Sequence, residues 1–149
     1  MKIVYPFISD LILNLISSIF VDLSFSCSLV HEAKLIRLLY SDDLSVKKMQ
    51  KPDKILMENT NLLQALSLQV PNIGTMRETF FCNQLGYTHQ VEYNKRGDYL
   101  IDHKYVFEIG GKAKDGKQVA NMENAYIASD ECDYPIGNKL PLWLFGLMY

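Results

Sequence analysis

Gly97-Asp98-Tyr99-Leu100-Ile101-Asp102-His103-Lys104-Tyr105-Val106-Phe107-Glu108-Ile109-Gly110-Gly111-Lys112 carries the clearest strand signal in the chain. Two runs rich in aromatic and β-branched residues, Asp98 to Ile101 and Tyr105 to Ile109, flank a short polar turn, which reads as two strands of an antiparallel pair. Upstream, Gln90 to Tyr93 supplies a third strand, set off by Asn94-Lys95-Arg96-Gly97, so the three form a meander. Gly110-Gly111 ends it. A polar stretch runs on through Gly116, and Tyr126 to Ser129 can add one more short strand.

Before the meander the period changes. Lys54 to Met57 reads as a short strand, and Asn59-Thr60-Asn61 as a turn and N-cap leading into a helix over Leu62 to Leu68. Pro71 and Asn72 separate it from a second helix, Ile73 to Leu85, with an apolar stripe of Met76, Phe80, Phe81 and Leu85 and with Gly86 as its stop. His31 to Tyr40 ends a helix and runs into a strand, after which Ser41-Asp42-Asp43 marks a turn. Lys47, Lys48, Lys51 and Lys54 are diluted by Asp42, Asp43 and Asp53, which makes them a solvated loop rather than a nucleic-acid patch. The apolar end, Leu140 to Tyr149, must dock on the core or on a partner. The expected class is α/β (α+β), a mixed sheet with flanking helices.

The first thirty residues differ from the rest. Between Ile3 and Val30 only Asp10 and Asp22 are charged, and the charge-free stretch Leu11 to Val21 is too short to span a membrane, which takes about 20 apolar residues. Asp10 inside the run and Phe25 beside Ser26 both spoil a secretory signal, and Ser24-Phe25-Ser26 is a poor approach to lipidation at Cys27. Leu11, Leu15 and Ser18, with Ile12, Ile16 and Ile19, stack at helical spacing instead. The expectation is an apolar helical leader over 1–30, buried or partner-facing, through which the chain self-associates.

A chain of 149 residues holds one domain with a core and an appendage. Apolar residues at 48% and charged residues at 21% exclude both disorder and a disulfide scaffold. Cys27, Cys82 and Cys132 lie far apart without a C-x-x-C pair, and His31, His89 and His103 are equally dispersed, so reduced thiols, a cytoplasmic location and no zinc site are expected. No G-x-x-x-x-G-K-[ST] motif occurs, so this chain has no ATP site of its own.

The chemistry-bearing residues are Asp98, Glu108, Lys112 and Lys114, with Glu78 on the preceding helix. Carboxylates of this kind hold Mg²⁺ or Mn²⁺, the cation activates water and takes up phosphate charge, and a lysine supports the nucleophile or the scissile phosphate. Turn length decides whether they meet. A three-residue loop, Asp102-His103-Lys104, sets Ile101 opposite Tyr105 and Asp98 opposite Glu108 on one face; a two-residue turn, His103-Lys104, sends Glu108 to the other face. The blander alternative keeps Asp98 as a turn residue and Glu108 as an ion-pair partner.

The segments Lys51 to Leu62, Asn72 to Leu85, Gly97 to Asp102, Phe107 to Lys112 and Pro141 to Gly146 resemble the C-terminal domain of unknown function carried by bacterial and archaeal AAA-type ATPases (ATP-binding proteins). The likeness covers most of 51–149. It implies a restriction-endonuclease-like fold, with the helix glutamate at Glu78, the strand aspartate at Asp98 and the strand glutamate at Glu108. The nuclease-like pattern ends Glu-x-Lys, but Gly110 stands where the lysine belongs, and Lys112 comes two residues late, about 6.6 Å further along the same strand face. Metal ligands are therefore expected at Asp98 and Glu108, with Glu78 and Lys112 completing the site. The resemblance also implies a missing N-terminal ATPase module and a winged-helix-like remnant plus linker over 31–50, so the chain is expected to be a truncated protein. Its expected work is noncatalytic recognition of nucleic acid or of a protein partner, with a Mg²⁺-dependent nuclease and a purely structural interaction module as the alternatives.

Overall fold

The computed structural model describes residues 25–41 and 51–148. The chain divides into two compact units, Met1–Lys34 and Leu35–Tyr149. In the first, residues 25–32 are helical, and the helix closes with Ala33 N–H donating to Leu29 O at 2.9 Å and Lys34, at φ 58°, donating to His31 O at 2.9 Å. The expected apolar stacking over residues 11–19, and Lys47 and Lys48, lie outside the described residues. Among the described residues no helix is long and apolar enough to cross a membrane.

The second unit is a mixed α/β structure. β1 (Ile36–Leu39) and β2 (Lys54–Met57) pair antiparallel, with Ile36 opposite Met57. Helix α1 (Thr60–Leu66) starts two residues before the expected Leu62, because Asn59 is the N-cap, its Oδ1 accepting from Leu62 N–H at 2.9 Å. Helix α2 (Ile73–Leu85) has the expected bounds. Asn72 caps its start, accepting from Gly74 N–H at 2.8 Å. Gly86 at its end is right-handed, with φ −69°, so it is not glycine for a left-handed stop; a Cβ there would strike the Arg37 guanidinium.

The main sheet has the order β3 (Val91–Tyr93), β4 (Tyr99–Ile101), β5 (Tyr105–Gly110), β6 (Ala125–Ser129) and β7 (Lys139–Pro141). The first three strands are the antiparallel meander, and β6 and β7 add on in parallel. The sequence announces neither β7 nor the 3₁₀ helix Leu142–Leu147 that follows it. Parallel neighbours usually need a crossover helix. Here residues 111–124 cross from β5 to β6 without one, and the loop itself buries Val119 at 1% exposure.

Side-chain alternation divides the core between the two sheet faces. On one face Tyr99, Ile101, Phe107, Ile109 and Ala128 pack under α2 and the 3₁₀ helix, with Phe81, Cys82, Leu85, Leu142 and Phe145 in the same cluster. The stripe on α2 therefore centres on Phe81, Cys82 and Leu85, with Phe80 only half-buried against it. On the other face Leu100, Val106, Ala125 and Ile127 pack with Val119.

Burial pushes the Cys82 thiol up from 9.0 to about 12, against the hydrogen bond to Tyr99. An acid whose folded value is raised stabilises the fold fully below its unfolded value and loses that contribution as pH climbs through the folded one. The urea midpoint is thus expected to fall as pH rises from 9.0 toward about 12. Ellman's reagent at about pH 8 should leave Cys82 unmodified until urea unfolds the domain, since only the thiolate reacts; rapid modification of Cys82 in the folded protein would contradict this packing.

Candidate active site

The turn between β4 and β5 has the three-residue register. Asp102 and His103 both take positive φ, 51° and 53°, and Lys104 N–H donates to Ile101 O at 3.0 Å. Lys104 is then the extra residue that sets Ile101 opposite Tyr105. Asp102 holds this conformation from outside the hairpin: its Oδ1 accepts from Gln90 N–H at 2.8 Å and its Oδ2 lies 2.7 Å from His89 Nδ1. Tyr99 pairs with Phe107, but the ladder does not run on to set Asp98 opposite Glu108 as expected: Asp98 lies just outside β4, and its own N–H donates to Phe107 O at 2.9 Å, so the strand bulges there.

Asp98 is placed by the turn before it. Asn94 Oδ1 accepts from Arg96 and Gly97 N–H at 2.9 and 3.0 Å, and a Cβ on Gly97 would lie 2.6 Å from Val106 Cγ1, which keeps that position glycine. Asp98 Oδ2 accepts from Ile109 N–H at 2.6 Å, fastening the carboxylate beside Glu108. Glu108 sits in mid-strand with its side chain 3% exposed. Its Oε1 is 3.0 Å from Lys114 Nζ, and its Oε2 is buried without a hydrogen-bond partner.

Lys114 rather than Lys112 reaches the carboxylates. The chain leaves β5 at Gly110 and folds back over the sheet, so the stem of Lys114 lies on Gly110: a Cβ there would meet Lys114 Cβ, Cγ and Cδ at 2.8–2.9 Å. Gly116, at φ 67°, completes the return, since a Cβ there would strike Ile127. Burial pulls the Lys114 ammonium down, but the hydrogen bond to Glu108 and the charges of Glu108, Asp98 and Glu78 outweigh it and leave it raised. Lys112 is exposed. The loop after β5 is held elsewhere by Ser129 Oγ donating to Gly111 O at 3.1 Å and Asp130 N–H donating to Gly110 O at 2.8 Å. Arg77, paired with Asp130 at 3.0 Å, packs against Gly111.

Glu78 belongs to a different group. On α2 it pairs with Lys54 of β2 at 2.5 Å and accepts from Tyr99 OH at 3.2 Å, on the sheet face opposite Glu108. Lys54, expected in a solvated loop, instead forms this ion pair with its side chain 26% exposed. The structure thus brings Asp98, Glu108 and Lys114 together, leaves Lys112 in solvent, and connects Glu78 to the group through its charge alone. Among the described residues no three or more His, Cys, Asp or Glu side chains gather to hold a metal ion. Asp98 and Glu108 are a pair. A pair suffices for Mg²⁺, which commonly takes one or two carboxylates and completes its shell with water and substrate phosphate, and the buried, unpartnered Glu108 Oε2 is the acceptor left for it.

Among known protein families, curated proteins and solved structures, none matches this chain.

Proposed function

We propose that this chain is a nuclease-like domain of the kind carried at the C-terminus of AAA-type ATP-binding proteins, and that Asp98, Glu108 and Lys114 act on the phosphodiester of a nucleic acid with a divalent cation. The order of a helix, a three-stranded meander and a parallel strand, with Asp98 at the head of β4 and Glu108 within β5, supports a restriction-endonuclease-like arrangement. The observation that carries the reading is Lys114 lying over Gly110 with its ammonium on Glu108. It supplies from the loop the lysine that the Glu-x-Lys pattern would have placed on the strand.

Asp98 and Glu108 would hold the cation. When bound, such an ion polarises a phosphoryl oxygen and lowers the pKa of a water molecule. Glu108, fixed in mid-strand, orients the site; Asp98 keeps its carboxylate beside that strand through its bond from Ile109 N–H. Lys114 keeps its proton, because the carboxylates hold its ammonium charged, and so presents positive charge where phosphate charge builds up.

The test is cleavage of DNA and RNA with Mg²⁺ or Mn²⁺. The wild-type chain is expected to cut at least one of them, and Asp98→Asn to lower the rate by about a hundredfold or more. No cleavage of either polymer with either metal would sink the catalytic reading. A second reading then takes over, a noncatalytic protein-recognition module. It is favoured by Ile73 and Trp143, each 54% exposed, which line a groove of about 340 Å³ with Met76, Phe80 and Leu142.

A further inference from the structure

The parallel registers place three residues in one row across the sheet. Glu108 pairs with Ile127, and Ile127 pairs with Lys139. Directly paired residues share a sheet face, so Lys139 stands on the Glu108 face two strands away. Its ammonium donates to Lys112 O at 2.7 Å and to Lys114 O at 3.2 Å. Those carbonyls bracket the segment that lifts Lys114 back over Gly110. The loop carries no helix, so its backbone has no intrahelical ladder, and the two carbonyls take their hydrogen bonds from a side chain instead.

We infer that Lys139 is a positioning residue: by bonding Lys112 O and Lys114 O, it fixes the loop in the one arrangement that puts Lys114 on Glu108. The inference rests on reading Asp98, Glu108 and Lys114 as a phosphodiester site, but its geometric half stands without it. Lys139 itself does not touch the carboxylates. Its ammonium is occupied by the loop backbone, and its contribution passes through Lys114. Removing the Lys139 head group leaves the strand pairing of β7 intact, since that pairing uses main-chain groups, while the loop loses the donor that spans its two carbonyls.

Two readouts separate the inference from the proposed function. A water-soluble carbodiimide joins a carboxylate to an amine in contact, so the wild-type chain should yield a Lys114–Glu108 cross-linked peptide by mass spectrometry, whether or not it cleaves anything. Lys139→Met should lose most of that cross-link at unchanged circular dichroism. Lys139→Arg, which keeps a cation with several donors, should recover it. In the cleavage assay Lys139→Met should lower kcat by about a hundredfold, the scale of a misplacement of about 1 Å, while leaving KM nearly unmoved. Absence of the wild-type cross-link overturns the inference, and so does a full cross-link in Lys139→Met. If Lys139→Met fails to fold, Lys139→Leu, which likewise carries no donor, decides between the same two outcomes. A cross-link that follows Lys139 in a chain that cleaves nothing keeps the positioning role and removes the nuclease.

Discussion

Lys114→Met is expected to destabilise the domain by about 3 kcal/mol, and Lys112→Met by no more than about 0.5 kcal/mol, although the two lysines are two residues apart. The difference comes from what each leaves behind. Without Lys114 the Glu108 carboxylate stays in mid-strand with its side chain 3% exposed, one oxygen already lacking a partner and the other losing its 3.0 Å ion pair. A buried charge stripped of its counter-ion costs far more than the pair was worth. Glu108→Gln runs the other way: the charge goes, Lys114 at 33% exposure turns to solvent, and the cost falls to about 1 kcal/mol. Urea unfolding of the three variants at neutral pH reads the order directly. Equal costs for Lys112→Met and Lys114→Met would mean that the loop does not fold back as described.

Phe81→Ala should cost on the order of 4 kcal/mol, a large part of the whole stability of a domain this size. Phe81 is fully buried, and its ring centre lies 4.8 Å from Phe145, 5.1 Å from Phe107 and 5.8 Å from Tyr99. Those partners come from three separate elements, the 3₁₀ helix, β5 and β4, so the layer that covers one sheet face closes on this one side chain. Removing it leaves a cavity that three aromatic rings on different elements cannot jointly collapse into. The urea midpoint is expected to drop sharply, and Cys82, the next residue, to become reactive to Ellman's reagent in mild urea. A loss below about 1.5 kcal/mol would place Phe81 outside the core.

Much of this fold was legible in the sequence where the signal is local. Asn72 and Gly86 bracket α2 within the expected bounds, and the strand runs of the meander announce themselves by composition. The turn at 102–104 is ambiguous in the sequence because two non-glycine residues adopt positive φ there, and what holds them is Asp102 bonding to His89 and Gln90 on the other side of β4. β7 is three residues long and ends on Pro141, which suits an edge position, and it is a strand only because β6 lies beside it. Its alternation is too short to stand out.

The candidate site was legible to the same degree. Strand parity places Glu108 within β5, but it does not place Asp98, which lies just outside β4 and comes close to that strand through the bond from Ile109 N–H to its carboxylate. Lys112 followed from parity too, but counting side chains along a strand fails where the strand ends, and the chain leaves the sheet after Gly110. Lys114 reaches Glu108 only because the loop returns, and that return depends on Gly110, on Gly116 with its positive φ and on Lys139 far along the chain. The paired glycines followed by closely spaced lysines were the one available signal. Glu78 looked like a member of the group because nothing in its helical position says which sheet face α2 covers.

A calorimetric titration of Mn²⁺ into the wild-type chain, Asp98→Asn and Glu108→Gln reads the cation site itself. Saturable binding to the wild type that both substitutions abolish is the predicted result. No binding to the wild type, or binding that survives in both variants, would contradict a cation site at Asp98 and Glu108.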